Sequence, residues 1–310
     1  MAWKRIPLTT TSTTIWEIPE PLSIDKVSVD DDTVISLRRH GNPAGPRLVL
    51  CHGNGLAIDL YYPFWSLLAD DFDLVVYDMR NHGWNTVGNQ KKHNIPTLVQ
   101  DHDCILSAVD RFYGKKPKIG VFHSVSSLVT LLSPTRGGAF SACILFDPPL
   151  CKAGDSYEKF DAAVTRTAAL TRRRTDRFRT REELVSLLGF LPIFQHAVPG
   201  VFDLVARTTL RECADGQGYE LRCPREYEAQ IIEYARTFAV LVDFDTFRCP
   251  IKVLGADPTL PYSYLPTLDL SDVLSVDYDF LPETTHFLQL EQPEQCAAVL
   301  REFVELNSRT

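Results

Sequence analysis

The feature that most constrains the fold of this chain is a repeated alternation of short apolar runs with longer segments of helical spacing. Each run is four to six residues long, and the longer segments between the runs cover 57–70, 94–113, 125–133 and 291–307. The runs are Leu48–Cys51, Leu74–Tyr77, Ile119–Phe122, Cys143–Phe146, Ile251–Leu254 and Ser275–Phe280. Runs of this length between turn residues are typical of strands buried on both faces. Their alternation with helices predicts a parallel sheet covered by helices on both sides, which is an α/β fold.

Two further segments precede the first run and show alternating polarity. They are Lys26–Val29 and Val34–Arg39, and the polar stretch Asp30–Asp32 separates them. Alternation around a short turn favours an antiparallel pair. With the six runs, this pair gives a mostly parallel sheet of about eight strands.

The alternation is interrupted over residues 151–247. This stretch contains a run of arginines, then a predicted hairpin of Thr209–Cys213 with Tyr219–Cys223, and then a helical pattern over Arg225–Val242. We interpret it as an insertion between two strands of the sheet. The predicted organisation is therefore a core of residues 1–150 and 248–310 with an inserted segment at 151–247.

Composition limits the class of partner. The net charge of −8 argues against nucleic acid as a partner. No apolar run approaches the ~20 residues needed to span a bilayer, and Met1–Arg5 lacks the features of a signal peptide. The eight cysteines show no CxxC spacing, so we expect free buried thiols in a cytoplasmic protein, and no metal site. We expect the partner to be a small molecule.

Ser124 is the candidate nucleophile. It follows the run Ile119–Phe122 and opens a helical segment, so a tight strand-to-helix turn would expose its hydroxyl beside a helix N-terminus. Such a turn favours small neighbours two residues away. Ser126 is small, whereas Phe122 occupies a position where Gly is usual. A helix N-cap is the simpler alternative for this serine.

A histidine and two carboxylates follow other predicted strands. His286 follows the last run, where it can reach a nucleophile at the carboxyl edge of the sheet, and Asp257 lies just past Ile251–Leu254. A carboxylate in that place can orient the imidazole. Asp147 occupies the same kind of position one strand earlier and is the alternative acid. The order Ser, Asp, His at three strand ends is that of α/β-hydrolases.

Three more segments carry a resemblance to the α/β-hydrolase superfamily. Cys51–Gly55 is similar to the family's His-Gly turn, and Asp78–Gly83 is similar to its D-x-R-G-H-G segment with Asn81 in place of a Gly. His286–Pro293 is similar to the family's terminal segment. The resemblance spans about 25–150 and 248–308. It implies an α/β-hydrolase fold in which 151–247 is a mainly helical cap.

The resemblance also implies roles for individual residues. Ser124 would be the nucleophile and His286 the general base, with Asp257, or alternatively Asp147, as the acid. The backbone N–H groups of Asn54 and Val125 would form the oxyanion hole. We expect no cofactor.

The substrate pocket is predicted from aromatic residues near these motifs. Tyr61, Tyr62, Trp65, Phe194 and Tyr234 are candidates for its lining, although aromatic clusters are also common in plain core. The arginines between Arg166 and Arg181 could bind an acidic substrate group or could form ion pairs on a solvated face.

These residues favour a serine hydrolase of the carboxylesterase or lactonase type. It would cleave an ester, lactone or thioester of a small apolar or aromatic substrate through an acyl-Ser124 intermediate. Three alternatives stay open from sequence alone. They are a C–C bond hydrolase of a diketone-like substrate, a non-catalytic ligand-binding relative and a cofactor-less oxygenase.

Overall fold

The computed structural model describes residues 15–151, 155–260 and 276–307. The N-terminal residues 1–5, on which the absence of a signal peptide was predicted, lie outside these ranges, as does Ser275 at the start of the last predicted strand. Within the described residues, no helix is both long and apolar enough to cross a membrane.

Strands and helices alternate along the described chain. The strands are β1 (Ser23–Ser28), β2 (Val34–Gly41), β3 (Arg47–Cys51), β4 (Asp73–Tyr77), β5 (Lys118–His123), β6 (Ala142–Phe146), β7 (Arg177–Phe178), β8 (Leu210–Glu212), β9 (Tyr219–Leu221), β10 (Ile251–Gly255) and β11 (Asp277–Phe280). The α-helices are α1 (Tyr62–Trp65), α2 (Ile95–Tyr113), α3 (Val125–Leu132), α4 (Asp155–Arg173), α5 (Arg181–Leu188), α6 (Val201–Thr209), α7 (Arg225–Phe238), α8 (Leu288–Glu291) and α9 (Pro293–Asn307). Short 3₁₀ helices join several of them.

Eight strands form the main sheet in the order β1-β2-β4-β3-β5-β6-β10-β11. The pairs β1–β2 and β2–β4 are antiparallel, and every other neighbouring pair is parallel. The predicted α/β fold with a mostly parallel sheet of about eight strands is therefore confirmed, including the initial antiparallel pair.

Apolar layers lie on both faces of the sheet, which explains the continuous apolar runs. Along β3, Leu48 and Leu50 belong to one buried cluster, whereas Val49 and Cys51 belong to the other. Successive side chains of a strand point to opposite faces, so a strand covered on both sides must be apolar throughout.

The last strand differs from this pattern. β11 is mostly exposed because it lies at the edge of the sheet, where, within the described part of the chain, β10 is its one partner. The expectation that this run is buried on both faces was wrong, since the run by itself does not say which strand is at the edge.

The helix α2 shows how the sequence sets the ends of a covering element. The Asn94 side chain accepts a hydrogen bond from the Thr97 N–H at the start of α2, and Gly114 with φ 79° follows its last residue. Asn at the N-cap and Gly after the C-terminus are the expected signals. The helix buries Ile95, Leu98 and other apolar residues against the sheet.

The segment between β6 and β10 contains α4 to α7 and a small three-stranded sheet in the order β7-β9-β8. The strands β8 and β9 form the hairpin predicted from the sequence. Phe160 and Val164 of α4 share a buried apolar cluster with Ala229 and Ile232 of α7, so the inserted segment has a small core of its own.

Candidate active site

Ser124 lies on a sharp turn between β5 and α3. Its φ of 54° and ψ of −121° are unusual for a residue other than glycine. The Ser124 N–H donates to the Phe146 carbonyl oxygen (2.9 Å), which fixes the turn at the carboxyl end of the parallel strands. Backbone strain of this kind concentrates at functional sites.

The two residues that flank the turn two positions away from Ser124 fit in different ways. Phe122 is fully buried, and it fits because Gly120 lacks a side chain: a Cβ on Gly120 would lie 2.6 Å from the Phe122 ring. Ser126 Oγ accepts from the His123 N–H (3.0 Å) and donates to the His123 carbonyl oxygen (2.9 Å). Its hydroxyl therefore braces the turn.

His286 connects the serine to an acid. Its Nε2 lies 3.0 Å from Ser124 Oγ, and its Nδ1 lies 2.6 Å from Asp147 Oδ2. All three side chains are buried. The structure thus brings together Ser124, His286 and the alternative acid of the sequence analysis.

Asp147 is held by the neighbouring strand. It follows β6 directly, its N–H donates to the Leu254 carbonyl oxygen (2.9 Å), and its Oδ1 accepts from the Ala256 N–H (3.2 Å). The φ of Asp147 is 37°, a second left-handed position in this site. These contacts leave Oδ2 directed at His286.

Asp257, the first-choice acid of the sequence analysis, does not bond to His286. Its Oδ1 accepts from the N–H (2.8 Å) and hydroxyl (2.6 Å) of Thr259, and its Oδ2 accepts from the Glu283 N–H (2.9 Å). These bonds lower the pKa of the Asp257 carboxyl. The reason for the difference lies in strand order: β6 is the direct neighbour of β5, whereas β10 is one strand further away.

The predicted oxyanion loop is tied down on both sides of Asn54. The Gly53 N–H donates to Tyr61 Oη (3.1 Å), and the Gly55 N–H donates to His82 Nε2 (3.0 Å). Among the bonds of the described residues, none has the Asn54 N–H as donor. The Asn54 N–H is therefore left without an acceptor in the described structure, in a loop that borders a cavity.

Val125 offers a second N–H beside the serine. It is the first residue of α3, and the N–H groups of a helix's first turn have no acceptor within the helix. Val125, Asn54 and Ser124 all border the same cavity. The arrangement can hold a negatively charged oxygen close to Ser124.

Comparison with known proteins identifies the family. The model of the alpha/beta hydrolase family matches residues 48–299. The chain belongs to the alpha/beta hydrolase family. This membership supports the prediction that the protein is a hydrolase.

Solved structures share the fold of this α/β hydrolase at low sequence identity. E-2-(acetamidomethylene)succinate hydrolase has a TM-score of 0.72 at 16% identity, with 91% of this chain and 99% of that chain covered. The thioesterase domain from the curacin biosynthetic pathway has a TM-score of 0.68 at 15% identity, covering 90% and 99%. The enol-lactonase from Burkholderia xenovorans LB400 has a TM-score of 0.65 at 15% identity, also covering 90% and 99%. No functionally curated protein has a significantly similar sequence.

Asn81 replaces a glycine of the family's D-x-R-G-H-G segment. Its φ is 64°, a left-handed conformation that Asn adopts more readily than most residues. Its Oδ1 also accepts a short bond from the Gly88 N–H (2.6 Å). The substitution therefore keeps the backbone conformation of the segment and adds an anchor to the following loop.

A mainly apolar cavity of about 220 Å³ opens onto Ser124. Of the aromatic residues predicted to line it, Phe194 does so. Tyr61, Tyr62, Trp65 and Tyr234 do not: Tyr61 and Trp65 are buried core, Tyr62 packs edge-on against Trp65, and Tyr234 is exposed on α7. Their prediction as lining was wrong, because aromatic spacing does not distinguish core from pocket. Apolar side chains of the inserted segment supply much of the wall: Phe178, Leu184, Leu188, Leu191, Ile193, Phe194, Val205, Leu221, Ile232 and Ala235.

Arg174 and Glu228 are the charged pair of the cavity wall. The guanidinium donates from both terminal nitrogens to the two carboxylate oxygens, with the Nη1–Oε1 distance at 2.9 Å. Burial raises the pKa of Glu228, and the charge of Arg174 opposes this. The Asn54 amide donates to the Glu228 carbonyl oxygen (2.9 Å), and a Cβ on Gly55 would lie 2.2 Å from the Glu228 carboxylate. The inserted segment thus contacts the oxyanion loop directly.

Other arginines of the run also have acidic partners. Arg172 donates to both carboxylate oxygens of Glu233, and Arg177 lies 3.8 Å from Glu220. These pairs are at least partly exposed. They agree with the interpretation of the run as an ion-paired face, with partners from α7 and β9.

Three buried side chains bring possible metal ligands within 4.8 Å of one another: His82, His93 and Cys223. Both histidines already accept hydrogen bonds, His82 Nε2 from the Gly55 N–H and His93 Nδ1 from the Asn81 amide (3.0 Å). A metal-bound histidine normally donates from its other nitrogen. An accepting Nδ1 instead leaves the His93 proton on Nε2. This arrangement does not fit a metal ion, and the cluster packs beneath the oxyanion loop.

Proposed function

We propose that this α/β hydrolase is a serine hydrolase that cleaves an ester, lactone or thioester of a small apolar or aromatic substrate. The observation that carries the proposal is the hydrogen-bonded series Ser124 Oγ, His286 and Asp147, with distances of 3.0 and 2.6 Å. A hydroxyl within reach of an imidazole that is itself oriented by a carboxylate is the arrangement of an activated serine nucleophile.

In the proposed reaction, Ser124 Oγ attacks the substrate carbonyl carbon while His286 Nε2 takes its proton. The imidazolium is stabilised by Asp147 and returns the proton to the alcohol oxygen or thiol sulfur as its bond to the carbonyl carbon breaks, which leaves an acyl-Ser124 ester. The alcohol or thiol of an ester or thioester departs, whereas the alcohol of an opened lactone stays attached to the acyl chain. Water then attacks this ester, with His286 again as the base, and releases the acid and free serine.

The N–H groups of Asn54 and Val125 are the proposed donors to the oxyanion. Each such donor typically contributes about 3 kcal/mol of transition-state stabilisation. The fixed bonds on Gly53 and Gly55 support this role, because a loop that is already ordered needs little rearrangement when charge develops.

The preference for an apolar or aromatic substrate rests on the cavity wall. Aliphatic and aromatic side chains form most of it, and the charged residues that the described chain places on it, Arg174 and Glu228, pair with each other. We propose that residues 151–247 act as a cap, since α5, α6, α7 and the strands and loops between them supply much of this wall. The expected class is therefore a carboxylesterase or lactonase.

Labelling with a fluorophosphonate probe tests the nucleophile. We expect the wild-type protein to be labelled at Ser124 and to hydrolyse p-nitrophenyl esters, and we expect Ser124→Ala to lose both properties. Ser127→Ala is the matched control: Ser127 lies one helical turn further on, is fully buried, and its hydroxyl has no hydrogen-bond partner among the described residues. This variant should be labelled like the wild type.

The outcome also separates the alternatives. Labelling without ester turnover, but with cleavage of a β-diketone, would favour the C–C bond hydrolase. Folded wild-type protein that is not labelled would exclude the serine mechanism and favour a ligand-binding protein or an oxygenase, the latter detected by oxygen uptake.

A further inference from the structure

A buried tyrosine–histidine pair lies directly behind the proposed catalytic residues. Tyr61 Oη lies 2.6 Å from His123 Nδ1, and His123 Nε2 lies 2.8 Å from the His286 carbonyl oxygen. The Gly53 N–H donates to the same tyrosine hydroxyl (3.1 Å). Both side chains are almost inaccessible to solvent, with 2% of Tyr61 and 1% of His123 exposed.

The hydrogen-bond partners determine which atom donates in each bond from Gly53 through Tyr61 and His123 to His286. The His286 carbonyl oxygen can only accept, so His123 carries its proton on Nε2, and its Nδ1 must accept. Tyr61 therefore donates its hydroxyl proton to Nδ1 and accepts from the Gly53 N–H. Burial and the neighbouring His286 hold the pKa of His123 well below its usual value, which keeps the ring neutral. The bonds thus run in one direction, from Gly53 to His286.

These bonds join the three segments that carry the reacting groups. Gly53 precedes the proposed oxyanion donor Asn54, His123 precedes Ser124, and the accepting carbonyl belongs to His286 itself. We propose that Tyr61 and His123 are positioning residues that hold the oxyanion loop, the nucleophile turn and the base loop in a fixed mutual arrangement for acyl transfer. This proposal rests on the serine hydrolase function proposed above.

Tyr61→Phe tests the proposal with little change of shape. It removes the hydroxyl that joins Gly53 to His123 while the ring still fills its place. A small misplacement of reacting groups can cost about 100-fold in rate. We expect kcat for a p-nitrophenyl ester to fall about 10- to 100-fold and KM to change less than about twofold, because the substrate cavity is not altered.

Two substitutions of His123 each remove one of its two hydrogen bonds. His123→Asn keeps a polar atom near the position of Nδ1 and loses the donor to the His286 carbonyl. His123→Gln reaches the position of Nε2 and loses the acceptor for Tyr61. Both should slow turnover. Adding Tyr61→Phe to His123→Gln should slow turnover by a smaller factor than Tyr61→Phe alone does in the wild type, because both changes break the Tyr61–His123 bond and only the bond from the Gly53 N–H is lost in addition.

The measurement must separate positioning from loss of folded protein. We would express kcat per active site, with sites counted by fluorophosphonate titration. We would also measure inhibition by an alkyl trifluoromethyl ketone, whose serine adduct carries an oxyanion in the proposed hole. In the positioning variants the affinity for this ketone should fall by a factor similar to that of kcat, which partial unfolding would not produce after correction for active sites.

Tyr77→Phe is the matched control. Tyr77 is also a buried tyrosine whose hydroxyl lies close to a buried histidine nitrogen, His102 Nδ1 at 3.1 Å, but neither residue borders the catalytic cavity. Its kcat per site should equal that of the wild type. A wild-type rate in Tyr61→Phe, or an equal loss in Tyr77→Phe, would overturn the positioning role. Wild-type protein that is neither labelled nor active would instead overturn the proposed function.

Discussion

Asp147 and Asp257 follow adjacent parallel strands, yet their carboxylates have different surroundings. Asp147 Oδ2 is directed at His286, whereas both oxygens of Asp257 accept from the loops that contain Thr259 and Glu283. The first arrangement can orient an imidazole and stabilise its charged form, and the second can only hold two loops together. We therefore propose Asp147 as the acid.

Substitution of each carboxylate by its amide separates these roles. Asp147→Asn should lower kcat per active site by about 10³- to 10⁴-fold, because the amide no longer holds the imidazole in the required tautomer. Asp257→Asn should change kcat by less than about threefold and should lower the free energy of unfolding by about 1–3 kcal/mol through its lost hydrogen bonds. Steady-state kinetics and urea unfolding measure the two effects. Equal losses of kcat in both variants would contradict the assignment.

From the sequence, Ser124 and His286 are the only candidates for their proposed roles, whereas the acid has two candidates, and the reason is physical. Ser124 and His286 each stand alone at their strand ends, so the family order of the motifs is enough to select them. Two carboxylates compete for the third place, and the choice between them depends on which strand lies beside β5. That adjacency follows from packing of the sheet, which no local pattern encodes.

At the scale of elements, the ion pair of Arg174 and Glu228 connects the end of α4 with α7. Only 5% of the Glu228 side chain is exposed, so the carboxylate depends on Arg174 for compensation of its charge. The Arg174 side chain is 38% exposed, so the difference from an exposed pair lies in the carboxylate: removing the partner of a buried carboxylate leaves an uncompensated charge and is destabilising. The contribution of this pair to the free energy of unfolding should therefore depend on pH.

Arg174→Met should destabilise the protein more at pH 8 than at pH 5. Burial already raises the pKa of Glu228, and loss of the arginine raises it further. The carboxyl is then neutral at low pH and costs little, whereas its ionisation at higher pH is opposed by burial. We expect a loss of about 2–4 kcal/mol in the free energy of unfolding at pH 8 and a clearly smaller loss at pH 5, measured by urea unfolding.

Arg172→Met is the control for this comparison. Arg172 pairs with Glu233 between the same two helices, but 36% of the arginine and 43% of the glutamate side chain are exposed. Exposed pairs contribute about 0–1 kcal/mol, so this variant should lose little stability at either pH. A loss in Arg174→Met that does not depend on pH would argue against Glu228 as its cause.

The elements themselves could be predicted well from the sequence where burial is uniform. The apolar runs correspond to strands of the main sheet. The hairpin of β8 and β9 was predicted from two short segments on either side of a Gly-containing turn. The partners of the arginines could not be predicted, because Glu228 and Glu233 lie more than fifty residues away in the chain. Proximity of this kind is set only when α4 and α7 pack together.

At the scale of the whole molecule, the sheet gathers the proposed catalytic groups at one edge and the inserted segment closes over them. Ser124, Asp147 and His286 follow β5, β6 and β11, and the oxyanion loop follows β3. The residues that border the far side of the cavity come from 174–235. We therefore propose that chemistry and selectivity are carried by different parts of the chain, so that substitutions in the inserted segment should change selectivity without loss of the chemical step.

Ala235→Phe tests this separation. Ala235 borders the cavity from α7, so a phenyl ring at this position should occupy space that a long acyl chain needs. We expect the ratio of kcat/KM for p-nitrophenyl octanoate to that for the butyrate ester to fall about tenfold or more, since one methylene in an apolar pocket already changes discrimination by roughly 10- to 200-fold. The value for the butyrate ester should change much less.

Tyr234→Ala, one residue earlier on the same helix, is the control for that experiment. Tyr234 is exposed and does not border the cavity, although its aromatic character made it a candidate for the lining. Its removal should leave the ratio of the two esters unchanged. If Tyr234→Ala shifted the ratio and Ala235→Phe did not, the acyl chain would have to bind outside the cavity, and the inserted segment would select substrates by its outer surface instead of its inner wall.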